Sequence, residues 1–188
     1  MPRVYLSLGS NIEPERHLKA ALDALAVQFG PLSLSPVYES EAVGFVGENF
    51  YNLVAGIDTE LSVGQLAEHL RAIEHLNARC RSGEKFAPRT LDIDILIYGD
   101  QVGSVDGIEL PRGEILKYAF VLRPLADIIP DERHPVVGRR YRQLAAELDL
   151  GCQKLWPVPF SWSPGATSDT VTPLSPTSRC RRSPLGTS

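Results

Sequence analysis

Two acidic residues alternate with apolar ones in the middle of the chain. Asp92 and Asp94 occupy even-numbered positions of this run, and the odd-numbered positions hold Leu91, Ile93, Ile95 and Ile97. Side chains two residues apart on a strand project to the same face. We therefore expect the apolar set to enter a core while the two carboxylates stand side by side on the opposite face. Neighbouring carboxylates repel each other, and a bound cation removes that cost.

A dense cationic run directly precedes these aspartates and comprises Arg79, Arg81, Lys85 and Arg89. Mg²⁺ prefers one or two carboxylates together with phosphate oxygens and water. Paired carboxylates beside a cationic loop therefore suit Mg²⁺ and a polyphosphate. The alternative is a solvated loop whose charges pair with solubilising aspartates, and the residues alone leave both interpretations open.

The composition is that of one globular domain. The chain has 188 residues, of which 43% are hydrophobic, and its formal net charge is -4. Such an acidic chain is a poor nucleic-acid binder, and no apolar stretch is long enough to predict a membrane span. The three cysteines, Cys80, Cys152 and Cys180, have no CxxC spacing. We therefore expect no disulfide framework, no zinc site and a cytoplasmic location.

Periodicity predicts an order of strand, helix, strand, strand, helix, strand. The predicted strands are residues 3–8, 32–40, 52–58 and the aspartate run; the helices follow Pro14 and the capping box that begins at Ser62. This order is the ferredoxin-like βαββαβ pattern of an α+β protein, with an antiparallel sheet. Helices at 118–128 and 141–148 are expected on the other face, so that helices cover both faces. We interpret Gly9–Asn11 as a turn and Gly99-Asp100 as the turn into a hairpin.

The chain changes character after Trp162. Residues 163–188 are rich in Ser, Thr, Pro and Gly and contain few large apolar side chains. Such a segment cannot bury enough surface to offset its ordering entropy. We therefore predict a domain at 1–162 and a disordered tail at 163–188. The four histidines, His17, His69, His75 and His134, show no metal-ligand spacing and are expected at the surface.

The stretch from Arg79 to Asp94, RCRSGEKFAPRTLDID, resembles the signature of the 6-hydroxymethyl-7,8-dihydropterin pyrophosphokinase family of folate biosynthesis. The resemblance runs from Tyr5 to about Trp162. Its further motifs are YLSLGSN at 5–11, FYN at 50–52, RAIE at 71–74 and AFVL at 119–122. It implies an enzyme that transfers the terminal diphosphate of ATP to the hydroxymethyl group of a reduced pterin, with release of AMP. No GxxxxGK[ST] loop is present.

The resemblance also implies roles for individual residues. Asp92 and Asp94 match the pair that holds two Mg²⁺ ions. The implied catalytic residues are Arg79, Arg81, Arg89, Asp92 and Asp94. The implied nucleotide-binding residues are Glu74, Arg79, Arg81, Lys85, Arg89 and Arg112. For Glu74 the alternative is a surface ion pair with Arg71 or Arg79, and for Lys85 it is a solvated lysine.

The pterin requires a flat apolar slot with a few polar groups. Phe50 and Phe120 match the aromatics that sandwich the ring, and Asn52 matches the amide that reads its edge. The implied substrate-binding residues are Ser40, Ala42, Val43, Phe50, Asn52, Asp92 and Phe120. For each aromatic taken alone, core packing is the alternative.

Three positions depart from the family pattern. Arg112 stands where many relatives carry histidine, Tyr118 where many carry an arginine, and Phe86 where a tryptophan is common. The changes at Arg112 and Tyr118 keep one alternative open, a pterin- and nucleotide-binding module that has lost catalysis. A second alternative is a metal-dependent phosphohydrolase that acts on ATP. The expected partners are ATP and a reduced pterin, with no nucleic acid and no membrane, and the chain is expected to be a monomer.

Overall fold

A mixed α+β architecture is built around one large antiparallel sheet. The structure, a computed structural model, describes residues 1–42, 47–79, 90–148 and 153–165, without the side chains of residues 78 and 79. The elements are β1 (Arg3–Ser10), α1 (Pro14–Phe29), β2 (Ser33–Leu34), β3 (Val37–Ser40), β4 (Phe50–Asp58), α2 (Val63–Arg79), β5 (Asp92–Tyr98), β6 (Gly103–Val105), β7 (Ile108–Leu110), a 3₁₀ helix (Gly113–Leu116), α3 (Ala119–Ile128), α4 (Tyr141–Glu147) and β8 (Leu155–Val158). The strand order is β5-β1-β4-β3-β8, and β2 pairs with β4. Strands β1, β3, β4 and β5 with α1 and α2 form the predicted ferredoxin-like βαββαβ core.

Helices cover both faces of the sheet, as predicted. On one face, Leu18 and Leu22 of α1 and Leu66 of α2 pack with Leu6 and other apolar residues of the sheet. Burial of these side chains removes apolar surface from water, which is the main stabilising contribution to such a core. The other face is covered by the two shorter helices, whose buried residues Leu122, Leu125 and Tyr141 cluster with Tyr5 and Leu96.

The first two helices begin where the sequence predicts. Helix α1 starts at Pro14, where the missing N–H costs nothing. At the start of α2, the Ser62 N–H donates to Gln65 Oε1 at 3.0 Å and the Gln65 N–H donates to Ser62 Oγ at 3.2 Å. The predicted capping box is therefore confirmed.

The predicted strand at 32–40 is interrupted. It forms β2 and β3, separated by Ser35 and Pro36. Proline has no N–H to donate to a ladder. Ser35 bonds β4 partly through its side chain. Its N–H donates to the Val54 carbonyl at 3.0 Å, and its Oγ accepts from the Val54 N–H at 2.9 Å.

The predicted turn at Gly9–Asn11 is also wrong in part, because β1 continues through Gly9 and Ser10.

A bulge in β5 breaks the predicted alternation. Tyr5 of β1 lies opposite Ile97, but the next residue, Leu6, lies opposite Ile95, so that Leu96 is an additional residue on β5. Both residues at a classic bulge turn to one side, and Leu96 and Ile97 both join the cluster under α3 and α4. The placement of Ile97 with Ile93 and Ile95 was therefore wrong.

Two further strand pairs complete the structure. Strands β6 and β7 form the predicted hairpin, whose turn residues Asp106 and Gly107 have positive φ angles of 52° and 80°. This turn is the type favoured by an Asp-Gly pair. Strand β8 was not predicted and pairs with β3. Within the described ranges, no helix is long and apolar enough to cross a membrane.

Two histidines lie in the interior, which corrects the expectation that all four are at the surface. His17 is 2% exposed and His134 is 3% exposed, whereas His69 and His75 are exposed. Nδ1 of His134 accepts from the Val136 N–H at 3.2 Å, and burial lowers the pKa of its imidazole.

Candidate active site

Four strands bring one row of residues together across the sheet. Asp92 on β5 lies opposite Gly9 on β1, Gly9 lies opposite Asn52 on β4, and Asn52 lies opposite Tyr38 on β3. Because Gly9 has no side chain, the space between Asp92 and Asn52 stays open. A cavity of about 280 Å³ forms there, on the face that α3 covers. It is lined by Gly9, Ser40, Glu41, Phe50, Asn52, Asp92, Tyr118 and Phe120.

The polar floor of this cavity is ordered by Asn52, which is 5% exposed. Its Nδ2 donates to Ser40 Oγ at 2.9 Å and to the Phe50 carbonyl at 3.3 Å. These bonds orient the amide so that Oδ1 lies on the Gly9 side, 3.5 Å from where a Cβ on Gly9 would stand. The cavity therefore presents a fixed hydrogen-bond acceptor at its floor.

The aromatic wall comes from the start of α3. The rings of Tyr118 and Phe120 stack with centroids 5.0 Å apart and an interplanar angle of 16°. Stacked pairs of this kind are stabilising beyond their buried area. With Phe50 on β4, these rings give the cavity the flat apolar surfaces that a planar heterocycle requires.

The side chain of Gln153 holds the start of α3 in place. Its Oε1 accepts from the Ala119 N–H at 2.8 Å, and its Nε2 donates to the Lys117 carbonyl at 3.1 Å. The N-cap residue Tyr118 makes no side-chain capping bond, so Gln153 satisfies a helix-end donor that the local sequence does not. The two bonds flank Tyr118 and fix the backbone that carries the aromatic wall.

An arginine contacts one of the two aspartates. A guanidinium Nη2 of Arg112 donates to Oδ1 of Asp94, and its Nε lies 3.7 Å from Oε2 of Glu114. The side chains of Arg112 and Asp94 are 29% and 42% exposed. The structure therefore already places a cation on this carboxylate.

Glu74 supports the strand that carries both aspartates. Its Oε1 accepts from the backbone N–H of Ile93 at 2.7 Å. Among the described strands, β5 is the outer one of the sheet, and donors on its outer edge have no described neighbouring strand to accept from them. Neither sequence-based interpretation of Glu74, as a nucleotide ligand or as an arginine's ion-pair partner, included this contact.

The structure brings together only some of the predicted site residues. Ser40, Phe50, Asn52, Asp92 and Phe120 all line this cavity, and Asp94 and Arg112 meet on β5's side of it. Ala42 is half-buried just beyond β3 and is not among the lining residues. Predictions for the Arg79 side chain and for Val43, Arg81, Lys85, Phe86 and Arg89 lie outside the described residues.

The described donors suit a metal that is shared with phosphate. Among the described residues, no group of three or more His, Cys, Asp or Glu side chains could hold a metal ion. Asp92 and Asp94 supply two carboxylates. This number suits Mg²⁺, because Mg²⁺ usually takes its other ligands from substrate phosphates and water and not from the protein.

Sequence reasoning missed three contributors to this site: Gly9, Glu41 and Gln153. For Gly9 a signal existed, since glycine within a strand marks a close approach of backbone or ligand. Glu41 pairs with Lys154 at 2.9 Å. For Glu41 and Gln153 no local pattern carried the information, because both depend on the pairing of β8 with β3.

The strand order and the cavity define a ferredoxin-like α+β domain that holds a small-molecule site on its second face. Residues 5–130 match the family model described as 7,8-dihydro-6-hydroxymethylpterin-pyrophosphokinase (HPPK). This match covers more than half of the chain, and the protein belongs to that family.

Known relatives agree with this assignment. The 2-amino-4-hydroxy-6-hydroxymethyldihydropteridine pyrophosphokinase of Pseudomonas aeruginosa is 40% identical over 148 residues, which are 77% of this chain and 90% of the relative. The protein of the same description from Synechocystis is 35% identical over 81% of this chain and 78% of its own length. Wild-type HPPK-DHPS of Plasmodium falciparum shares the fold, with a TM-score of 0.59 at 16% identity. That match covers 78% of this chain and 44% of the Plasmodium chain.

Proposed function

We propose that this protein transfers the terminal diphosphate of ATP to the hydroxymethyl oxygen of 6-hydroxymethyl-7,8-dihydropterin. The hydroxyl oxygen attacks the β-phosphorus, the bond from that phosphorus to the α,β-bridging oxygen breaks, and AMP leaves with that oxygen. The hydroxyl proton passes to solvent. The observation that carries the proposal is a cavity that joins aromatic walls, a buried amide and Asp92, in a chain of this family.

The end of the cavity that we assign to the pterin is built from strands β3 and β4 and the start of α3. We propose that Phe50 and Phe120 contact the two faces of the ring and that Asn52 reads its edge with Oδ1. Ser40 holds the Asn52 amide in place, and Ala42 and Val43 extend the contact along the chain after β3. A ligand held on strands and a helix start is positioned more precisely than one held by loops alone.

The nucleotide end depends on charge. We propose that Asp92 and Asp94 would hold two Mg²⁺ ions. When bound, these ions would neutralise phosphate charge and favour attack on the phosphorus. Arg79, Arg81 and Arg89 act as catalytic phosphate contacts, with Lys85 and Arg112 as further nucleotide ligands, because guanidinium forks match phosphate oxygens. Glu74 contributes by holding the backbone between the two aspartates.

The broader assignments follow from the sequence. We propose that residues 1–162 form the catalytic domain, that 163–188 take no part in the reaction, and that the protein works as a cytoplasmic monomer. Its proposed partners are ATP and the reduced pterin.

The test is incubation of the protein with ATP, Mg²⁺ and 6-hydroxymethyl-7,8-dihydropterin, with chromatography of all products. We expect AMP and the pterin diphosphate in equal amounts, with neither formed when the pterin is omitted. Release of ADP, or of AMP without the pterin, would instead indicate a phosphohydrolase. Binding of both substrates without any product would indicate an impaired module, and either result would contradict the proposal.

A further inference from the structure

The guanidinium of Arg112 lies between two acidic side chains. It bonds Oδ1 of Asp94 and lies 3.7 Å from Oε2 of Glu114. Among the residues that the structure describes, its Nε is buried and has no hydrogen-bond partner within bonding distance. A buried guanidinium donor without an acceptor is destabilising. Reorientation of Arg112 toward a better acceptor would therefore be favourable.

The base of Arg112 is anchored beside the aspartates. Its backbone N–H donates to the Leu96 carbonyl of β5 at 2.8 Å, which sets its Cα alongside the strand that carries Asp94. The side chain is 29% exposed, so part of it is in contact with solvent. A change of side-chain rotamer, with the backbone held, is sufficient to move it off the carboxylate.

A guanidinium and a divalent ion compete for the same carboxylate. Mg²⁺ bound to Asp94 takes a carboxylate lone pair, and Arg112 occupies Oδ1 of that carboxylate. Nucleotide phosphate changes the balance, because it offers the guanidinium a bidentate acceptor of higher charge than one carboxylate. It also supplies oxygen ligands to the ion itself.

We propose that Arg112 is an internal counter-ion for Asp94, which weakens divalent-ion binding to this carboxylate until nucleotide phosphate draws the guanidinium away. Divalent-ion binding and nucleotide binding are thereby coupled, and each strengthens the other by the same factor. This inference rests on the proposed function, since it takes Asp94 as an ion ligand and the phosphate of ATP as the competing acceptor.

The test is Mn²⁺ binding, followed by electron paramagnetic resonance in the absence of nucleotide. We expect Arg112→Ala to bind Mn²⁺ about fivefold more tightly than the natural chain, the effect of losing a partly exposed ion pair. Arg112→Lys, which keeps a cation of different reach, should lie between the two. Thermal unfolding of each variant verifies that it is folded.

The matched control is Arg142→Ala. Arg142 lies on α4 and pairs with Asp131 at 2.9 Å. Arg142→Ala therefore changes the net charge by the same amount as Arg112→Ala but removes no contact of Asp94. We expect it to leave Mn²⁺ affinity within about twofold of the natural chain. In the presence of α,β-methylene-ATP, Arg112→Ala should no longer bind Mn²⁺ more tightly than the natural chain, because the variant has lost a phosphate contact.

The inference would be overturned if Arg112→Ala, Arg142→Ala and the natural chain bound Mn²⁺ with equal affinity in the absence of nucleotide. It would also be overturned if Arg112→Ala still bound Mn²⁺ more tightly than the natural chain in the presence of the nucleotide analogue. Neither result affects the proposed function, which AMP release by the natural chain tests separately. If the natural chain bound no Mn²⁺ even with the analogue, the metal site and the counter-ion role would both be rejected.

Discussion

The backbone N–H of Ile93 donates a 2.7 Å hydrogen bond to Oε1 of Glu74. Ile93 separates Asp92 from Asp94, so this one bond fixes the backbone between the two proposed ion ligands. The acceptor is a carboxylate on α2, and a hydrogen bond to a charged group is stronger than a neutral one. Helix α2 thereby contributes, together with the pairing of β5 and β1, to the positions of the two acidic side chains.

Loss of this bond should destabilise the protein. We expect Glu74→Ala to lower the free energy of unfolding by roughly 1–3 kcal/mol, because a backbone donor loses its charged acceptor. Glu74→Gln keeps an acceptor oxygen and should cost less than half as much. Urea unfolding measures both. Glu68→Ala, an exposed position on the same helix, is the control and should be nearly neutral; an equal loss in all three variants would contradict the role given to Glu74.

Removal of the Asp94 carboxylate should abolish turnover and leave the fold intact. We expect Asp94→Ala to lower kcat roughly 10³-fold or more, because a bound metal stabilises transition-state charge by several kcal/mol. The measurement is AMP release under saturating substrates, with circular dichroism as the check on folding. Asp100→Ala, at an exposed position just beyond β5, should retain full activity. An Asp94→Ala protein with near-normal kcat would refute the role.

The clamp formed by Gln153 gives a prediction specific to the pterin. Gln153→Ala removes the acceptor of the Ala119 N–H and the donor to the Lys117 carbonyl, which frees the start of α3. We expect the KM for the pterin to rise about three- to tenfold, since a lost helix cap is worth ~1 kcal/mol, while the KM for ATP stays constant. Steady-state kinetics with each substrate varied separates the two constants.

Gln143→Ala is the matched control for this clamp, because Gln143 caps α4 by accepting from the Arg140 N–H at 3.2 Å. Its loss should lower stability and leave both KM values unchanged. A parallel rise in both KM values for Gln153→Ala would show that the clamp only supports the fold.

Stability should fall in mild acid because of His134. Burial lowers the pKa of its imidazole, so the folded chain binds this proton less tightly than the unfolded chain, where histidine titrates near ~6.5. The contribution is therefore complete above about pH 6.5 and is lost as the pH falls from there toward the lowered folded pKa. The loss is at most ~1.4 kcal/mol per pH unit.

The pH effect is measured by urea unfolding at pH 7.5 and pH 5.5. We expect His134→Asn to reduce the difference between the two conditions, and His69→Asn, at an exposed position, to leave it unchanged. The slope with pH is the diagnostic quantity, because any substitution at a buried site also changes absolute stability. Identical slopes in His134→Asn and the natural chain would show that another group is responsible.

The parts of the fold that depend on local pattern were predictable. The start of α1 at Pro14, the capping box at Ser62 and the hairpin after Gly99-Asp100 each follow from residues that are close in sequence. The order of strands and helices followed from their periodicities, and it implied the ferredoxin-like sheet.

The parts that depend on a partner strand were not predictable. The bulge at Leu96 arises from the register between β5 and β1, and it turned Ile97 to the other face. Burial of His17 and His134 likewise depends on how helices and loops pack, which single-residue preferences do not encode. Gln153 lies at the site because β8 pairs with β3, and nothing in its local sequence indicates that partner.

The most direct measurement is a crystal structure of the protein with Mg²⁺, α,β-methylene-ATP and 6-hydroxymethyl-7,8-dihydropterin. We predict divalent ions bound by Asp92 and Asp94 and shared with the phosphates, and the pterin ring in the cavity between Phe50 and Phe120, with its hydroxymethyl oxygen facing the β-phosphorus. Density for nucleotide and pterin with no ion at either aspartate, or a pterin bound outside this cavity, would contradict the account.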